Sequence, residues 1–153
     1  MFAYTMEHIC SYGVTLQVPF EVIGETPQGL RINAYVTGGT VEGPRIRGRF
    51  LPVGGDWLTV RSDGVGVLDV RATIQAHDDA LIYVQYQGVL ELGDDGYARM
   101  LAGNPPPRAP IRAAPRLTSA HPGYLWVNRL QCVNIGEVDF ASASVSYDVY
   151  ALR

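Results

Sequence analysis

Asp56 stands where it could act as a general base. It follows the glycine pair Gly54-Gly55 and precedes Trp57. A glycine pair lets the backbone bend sharply, so the carboxylate could point inward against an aromatic wall, where desolvation would raise its pKa toward the range of a useful base. The alternative is a turn carboxylate that accepts hydrogen bonds from backbone N–H groups, with Trp57 in the core.

Asp69 is a second candidate base, and Arg71 lies on the same strand face. Residues two apart in a β-strand point the same way, so the two charged groups can meet. A buried Asp–Arg pair could present a guanidinium to a substrate carboxylate or stabilise a developing oxyanion. A structural ion pair, or two solvated side chains, would give the same pattern.

Neutral hydrogen-bonding side chains at alternate strand positions could orient a small ligand. Tyr83 is the fourth candidate catalytic residue, and Tyr83 and Tyr35 would donate hydrogen bonds to the reacting group. His121 follows a proline-rich loop and could reach the mouth of a barrel as an acid or base. The candidate substrate-binding residues are Asn33, Tyr35, Trp57, Gln85, His121, Trp126 and Asn128.

Other common chemistries lack their residues. All 12 basic residues are arginines, which excludes lysine Schiff bases and the lysine of a phosphate-binding loop. The three histidines do not form a zinc-ligand pattern, the two cysteines stand far apart without a CxxC motif, and no G-x-S-x-G motif occurs. We therefore expect neither a metal ion nor a cofactor.

Glycine and proline divide the chain into short segments rich in Val, Ile, Tyr and Thr. The 17 glycines and 10 prolines place turn signals roughly every 8–12 residues, which is typical of an all-β sandwich or barrel. We predict one domain over residues 1–153, an antiparallel β-barrel of about eight to ten strands with room for one small ligand. Residues 104–110 contain four prolines and are predicted to form a loop near the opening.

The alternation of polar and apolar residues within the strands does not determine which face of each strand points into the barrel. Segments 30–37, 67–75 and 81–87 alternate polar and apolar residues. The polar faces could meet solvent around an apolar core, or they could line a polar lumen while a partner or loop covers the apolar outside. Most of the candidate site residues depend on the second interpretation.

Composition restricts the partners. Of the 153 residues, 47% are hydrophobic and 18% charged, with a net charge of −3. This balance argues against a nucleic-acid groove or a basic membrane-binding face, and no apolar run approaches the roughly 18–20 residues that span a bilayer. We expect a cytoplasmic protein with a small-molecule ligand, and no nucleic-acid or membrane partner.

Five segments, in order along nearly the whole chain, carry a family resemblance: GGTVEGPRIRG at 38–48, LPVGGDW at 51–57, LDVRATIQAHDDALIYVQYQGV at 68–89, APRLTSAHPGYLWVNRL at 114–130 and YDVY at 147–150. They resemble the family catalogued as domain of unknown function 3237. The resemblance implies a single antiparallel β-barrel, similar to calycin or allene-oxide-cyclase barrels and often dimeric, so we expect a homodimer. It implies no assigned reaction.

These observations favour a cofactor-independent enzyme that uses acid–base chemistry in the barrel lumen. The reaction would be that of an isomerase, cyclase, lyase or lactone hydrolase, acting on an organic acid, an aromatic compound or a polyketide-like compound. Asp56 or Asp69 would be the base and Arg71 would stabilise the oxyanion. The alternative is a non-catalytic ligand-binding barrel of lipocalin type, and a third hypothesis is a structural dimer with a filled lumen.

Overall fold

The computed structural model describes residues 1–153, which form ten strands and two short helices. The α-helix has six residues and the 3₁₀ helix, η1, has eight, and neither is long and apolar enough to cross a membrane. The elements are β1 Met6–Leu16, β2 Glu21–Thr26, β3 Gly29–Glu42, β4 Gly48–Val60, β5 Val65–Ala76, β6 Leu81–Glu91, α1 Gly96–Leu101, β7 Arg108–Ala113, β8 Arg116–Thr118, η1 Pro122–Arg129, β9 Cys132–Asp139 and β10 Ser144–Leu152.

Eight of the strands close into one antiparallel barrel. Neighbouring strands follow the order β1-β10-β9-β7-β6-β5-β4-β3, and pairing of β3 with β1 closes the ring. Closure leaves no free edge within the ring. Strand β2 pairs with the first part of β3. Strand β8 pairs with residues 83–85 of β6, next to residues 88–90, which pair with β7. The predicted antiparallel β-barrel is confirmed.

The apolar face of each strand points inward. Along β5, Leu68, Val70, Ala72 and Ile74 are buried while the residues between them are partly or fully exposed. Burial of apolar surface is the main driving force of folding, so the apolar side chains occupy the narrow interior. The interpretation of a polar lumen is therefore wrong, and the polar faces lie outside.

The two ends of the barrel differ in packing. The closed end comprises η1, the β3–β4 connection 43–47 and the β5–β6 turn 77–80, and its side chains fill the interior. The open end comprises the β1–β2 connection 17–20, helix α1 and the β9–β10 turn 140–143. Ile46 and Val127 of the closed end are fully buried, whereas Phe20, Met100 and Phe140 of the open end are only partly buried.

The proline-rich loop is shorter than the sequence predicts. It ends at Pro107, because Arg108–Ala113 forms β7 and Pro110 pairs with Glu137 of β9. On the other side, β6 pairs with β7 only from Ile111 onward. A proline has no N–H to donate, and it is accommodated here because one side of the strand is still unpaired.

Candidate functional site

The half of the barrel toward the open end contains a cavity of about 70 Å³, measured as the space open to the centre of a water molecule. This is about half the volume of an engineered apolar cavity that binds benzene, so a single ring fits once the side chains that line the space move outward. Of its 22 lining residues, 20 are hydrophobic and the others are Gly55 and Asp56. Asp56 is therefore the one carboxyl group that faces this space.

The glycine pair places Asp56 in the lumen. Gly54 has a φ of +86°, and a Cβ atom there would come within 2.1 Å of the Arg71 carbonyl oxygen. A Cβ on Gly55 would lie 2.5 Å from the carbonyl oxygen of Ala34. The pairing of β4 with β5 shifts between Phe50 and Gly54, so the strand bulges here and turns the next carboxyl group inward.

Asp56 is partly buried and is held by one backbone hydrogen bond. The Asp69 backbone N–H donates to Asp56 Oδ1 over 3.0 Å. Burial raises the pKa of Asp56 to about 7, a rise that the negative charge of Asp69 increases and that this hydrogen bond and the charge of Arg31 oppose. At neutral pH the carboxyl group therefore exists in both protonation states, which suits an acid–base catalyst.

Three tyrosines and Phe50 form an aromatic cluster at the inner end of the cavity. The ring centroids of Tyr12 and Tyr147 are 5.1 Å apart, those of Tyr86 and Tyr147 are 5.8 Å apart, and Phe50 lies 4.8 Å from Tyr12. Burial raises the pKa of each of the three phenols well above its ordinary value. The phenols therefore stay protonated and can serve as hydrogen-bond donors.

Strand register brings Asp56 close to this cluster. Val70 of β5 is opposite Asp56 on one side and opposite Tyr86 on the other, so the carboxyl and this phenol lie in one row across three strands. Asn134 is fully buried and its Nδ2 donates to Tyr12 Oη over 2.8 Å. The Tyr147 hydroxyl and Asn134 Oδ1 have no hydrogen-bond partner.

An unpartnered buried hydroxyl beside a cavity can serve a ligand. Leaving such a group unpaired costs about 1–3 kcal/mol, and each case in a native structure calls for an explanation. A ligand oxygen in the cavity would accept the hydrogen bond that Tyr147 lacks. No group of three or more His, Cys, Asp or Glu side chains is arranged to hold a metal ion.

The sequence analysis missed Tyr12, Tyr86, Tyr147 and Asn134. Each interrupts an otherwise apolar face, as Tyr86 does in the series Ile82, Val84 and Tyr86. Once the apolar faces are known to point inward, polar groups on those faces are the signal that identifies the site. Asp56 is the one predicted catalytic residue that carries this signal.

Asp69 and Arg71 lie on the outer wall, so their predicted place in the lumen is wrong. Their charged groups are 3.2 Å apart, with 38% and 44% of the side chains exposed. The Arg71 guanidinium lies 5.9 Å from the centre of the Trp57 ring, which also packs on the outer wall. The pair is the structural ion pair that the sequence leaves open as the alternative, and Arg71 cannot stabilise an oxyanion inside the barrel.

Four further predicted residues also face outward. Tyr35 and Asn33 donate hydrogen bonds to the carboxylate of Glu21 on β2, the second over 3.0 Å. Tyr83 is 41% exposed, and Gln85 is exposed on the same face of β6. All four belong to polar faces that the polar-lumen interpretation turned inward, and none reaches the cavity.

His121, Trp126 and Asn128 lie at the closed end, where they hold η1. His121 Nδ1 accepts a hydrogen bond from the Gly123 N–H over 3.1 Å, and Trp126 Nε1 donates to the Gly123 carbonyl over 3.1 Å. The Asn128 side chain bonds both backbone groups of Ser119, at 2.8 and 2.9 Å. The expectation that His121 reaches the barrel mouth is wrong, because η1 covers the opposite end.

Comparison with known proteins agrees with this fold. A family model described as "Protein of unknown function (DUF3237)" matches residues 4–152. The chain belongs to this family. A UPF0311 protein of Rhodopseudomonas palustris is 29% identical over 83% of both chains, and a UPF0311 protein of Clostridium acetobutylicum is 28% identical over 79% of this chain and 78% of the relative.

Solved structures of this fold extend the comparison. A β-barrel-like protein from Acinetobacter baumannii superposes with a TM-score of 0.83 at 28% identity, over 100% of this DUF3237 chain and 98% of the other. A structure described as an enzyme from Penicillium herquei gives a TM-score of 0.71 at 17% identity, over 100% and 97% of the two chains. The second comparison concerns the fold alone.

Proposed function

We propose that this DUF3237 barrel is a cofactor-independent acid–base enzyme that transfers a proton between Asp56 and a small organic molecule held in the lumen. One observation carries the proposal: a single carboxyl group, with its pKa raised to about 7, faces an otherwise apolar cavity beside buried phenols. A perturbed carboxyl group in a cleft is a typical mark of a catalytic site.

The chemistry that fits is proton transfer next to a carbonyl group. The ionised Asp56 removes the proton from the carbon next to the carbonyl group. The C–H electron pair becomes the C=C π bond, the C=O π pair moves to the oxygen, and an enolate forms. The Tyr147 hydroxyl donates a hydrogen bond to that oxygen. The protonated Asp56 then returns its proton to another carbon, which isomerises the substrate, or to the oxygen of a leaving group, which completes an elimination. In a cyclisation the enolate carbon attacks a second carbonyl group of the substrate, and Asp56 protonates the alkoxide that forms there.

The expected magnitudes are sufficient for such activated C–H bonds. A positioned acid–base group contributes about 10²–10⁴-fold, and one oxyanion donor about 10²–10³-fold. A barrel of the same fold in Penicillium herquei is described as an enzyme, so the architecture is compatible with catalysis. The isomerase, cyclase and lyase hypotheses therefore remain, with Asp56 as the base.

Hydrogen–deuterium exchange tests the proposal without knowledge of the net reaction. The protein is incubated in D₂O with a panel of uncharged cyclic ketones and lactones, and deuterium uptake next to the carbonyl is followed by NMR. We expect exchange at least about 100-fold above the background with the natural protein and with Glu42→Gln, which removes one negative charge from a side chain that is 76% exposed on the outer wall. Exchange is expected to be lost in Asp56→Asn.

Exchange that persists in Asp56→Asn would refute the assigned base. The alternative, a non-catalytic binding barrel of lipocalin type, is favoured by the apolar lining. It predicts that panel members bind equally to the natural protein and to Asp56→Asn, with no exchange in either. Binding and exchange measured on the same compounds therefore separate the two functions.

A further inference from the structure

We infer that uncharged ring compounds enter the lumen at the open end, past Phe20, Met100 and Phe140, and that these three side chains, the gate, limit the size of the ligand. The inference rests on the proposed function only in that the lumen takes up a ligand. It does not depend on proton transfer at Asp56, so the two can fail separately.

Only one end of the barrel offers an entrance. Toward the closed end the interior is filled by buried aliphatic side chains such as Val41, Ile74 and Ile82, none of which lines the cavity. Toward the open end the lining continues through Leu16 and Val145 to the gate. A ligand that reaches Asp56 without unfolding the barrel therefore passes the open end.

The gate residues come from three separate connections. Phe20 lies at the end of connection 17–20, Met100 is on α1, and Phe140 follows β9. Each is partly buried against the core and lines the cavity. None is inside a barrel strand, so rotation of these side chains can widen the opening without breaking a hydrogen bond of the ring.

The position of β2 shows that the lumen face is open at this end. Val22 is directly opposite Ile32, whose side chain lines the cavity, and residues opposite each other in a sheet share a face. Val22 is nevertheless 62% exposed. Val18 and Leu101 are also exposed, at 66% and 50%, and they add apolar surface beside the gate.

The charge and size of the cavity define the ligand. Asp56 is the only ionisable carboxyl group among the lining residues, and no Arg or His lines the cavity. An anion would be buried there without a partner and beside an acidic group, which is strongly unfavourable. The cavity of about 70 Å³ is smaller than the roughly 150 Å³ of a cavity that binds benzene, so one ring requires a small outward shift of the lining side chains, and two fused rings require displacement of the gate.

A pair of fluorinated probes tests the charge selection. We expect ¹⁹F NMR to show that 4-fluorotoluene binds with a Kd in the millimolar range or below, and that 4-fluorobenzoate, which has a carboxylate in place of the methyl group, binds at least about 100-fold more weakly. Equal binding of the two, or no binding of 4-fluorotoluene, would overturn the assignment of an uncharged ligand.

A larger probe, with the two fused rings of a naphthyl group and a separate phenyl ring, tests the gate. Fluorescence of N-phenyl-1-naphthylamine is expected to show at least about 10-fold tighter binding to Phe20→Ala and Phe140→Ala than to the natural protein. Val89→Ala trims an apolar side chain that is 48% exposed on the outer wall and is the control for a general loss of apolar surface. Met100→Ala, on a short surface helix, serves if an aromatic variant fails to fold.

The outcomes are distinct. Unchanged affinity in all gate variants, or an equal gain in Val89→Ala, would refute the gate. If the gate fails while deuterium exchange at Asp56 is found, the proposed function stands with another entrance. If the gate holds and no exchange occurs, the lumen is a selective binding site rather than a catalytic one.

Discussion

Asparagine in place of Asp56 is expected to stabilise the barrel at alkaline pH, and to do so progressively less as the pH falls. The substitution keeps the shape of the side chain and the oxygen that accepts the Asp69 N–H, but it removes the ability to ionise. The difference between the two proteins therefore isolates the free energy of placing a charge in the lumen.

The sign follows from the direction of the pKa change. The pKa of Asp56 rises from its ordinary value of 3.8 to about 7 on folding, so between these values the folded protein holds a proton that the unfolded chain has lost. The stability contributed by this group is fully present below pH 3.8 and declines by about 1.4 kcal/mol per pH unit as the pH rises toward 7. Between pH 4.5 and 7.5, the advantage of Asp56→Asn is expected to grow by about 3 kcal/mol.

Urea unfolding of both proteins at several pH values measures this difference. With a slope of about 2 kcal/mol per molar urea, the midpoint of the variant should move upward by roughly 1–2 M relative to the natural protein between pH 4.5 and 7.5. Glu42→Gln, at an exposed side chain of the outer wall, is the control for the loss of one negative charge. Parallel pH profiles for the natural protein and Asp56→Asn would show that the carboxyl group is not desolvated, and would refute the basis of its assigned role.

Two further predictions concern the residues around Asp56. Gly54→Ala introduces a Cβ atom at a positive φ against a backbone oxygen, so urea unfolding should show a loss of stability of at least about 2 kcal/mol. Gly13 has open space around it, and Gly13→Ala should change stability by less than about 0.5 kcal/mol. Equal losses in the two variants would contradict the strain at Gly54. Tyr147→Phe deletes an unpartnered hydroxyl and should leave the melting temperature unchanged or higher. Tyr12→Phe leaves Asn134 Nδ2 without its acceptor and should cost about 1–3 kcal/mol of stability. A larger loss of stability in Tyr147→Phe than in Tyr12→Phe would contradict the hydrogen-bond assignment.

The barrel could be predicted from the sequence because its signals are local. Turn residues divide the chain into strands of the right length, and the alternation of polar and apolar residues is a property of each strand by itself. The inward direction of Asp56 was also accessible, because a glycine pair before an acidic residue marks a bend in the strand. These features need no knowledge of which strands are neighbours.

The face that points inward could not be decided from alternation alone. A strand that alternates polar and apolar residues presents the same string whether its polar side faces in or out, and a wrong choice turns every side chain to the other face. Because the polar-lumen interpretation assigns the polar faces to the interior, it places Asp69, Arg71, Tyr83 and Asn33 all in the site. For the same reason it leaves out Tyr86, which lies on the opposite face. The face that points inward is the one whose burial removes more apolar area from water. That area depends on the closed barrel as a whole and cannot be calculated for one strand by itself.

The position of His121 depended on the path of the whole chain. Which end of a barrel a connection covers is set by the direction of the strand before it and by where that strand pairs. The three-residue strand β8 continues along β6 after β7 has left it, and this carries the next connection to the closed end. The residues around His121 do not indicate which end of the barrel this connection covers.

The contrast between a filled end and a hollow end has a consequence for how such barrels diversify. Substitutions among Val41, Ile74 and Ile82 affect the stability of the whole molecule, whereas the connection 17–20, helix α1 and the turn 140–143 lie outside the ring of strands. Exchange of these three segments can alter selectivity while the strands stay as they are, as the loops on one face of a TIM barrel do. A relative at 28% identity keeps the same barrel, so under the proposed function libraries confined to these segments are the natural place to seek new ligands.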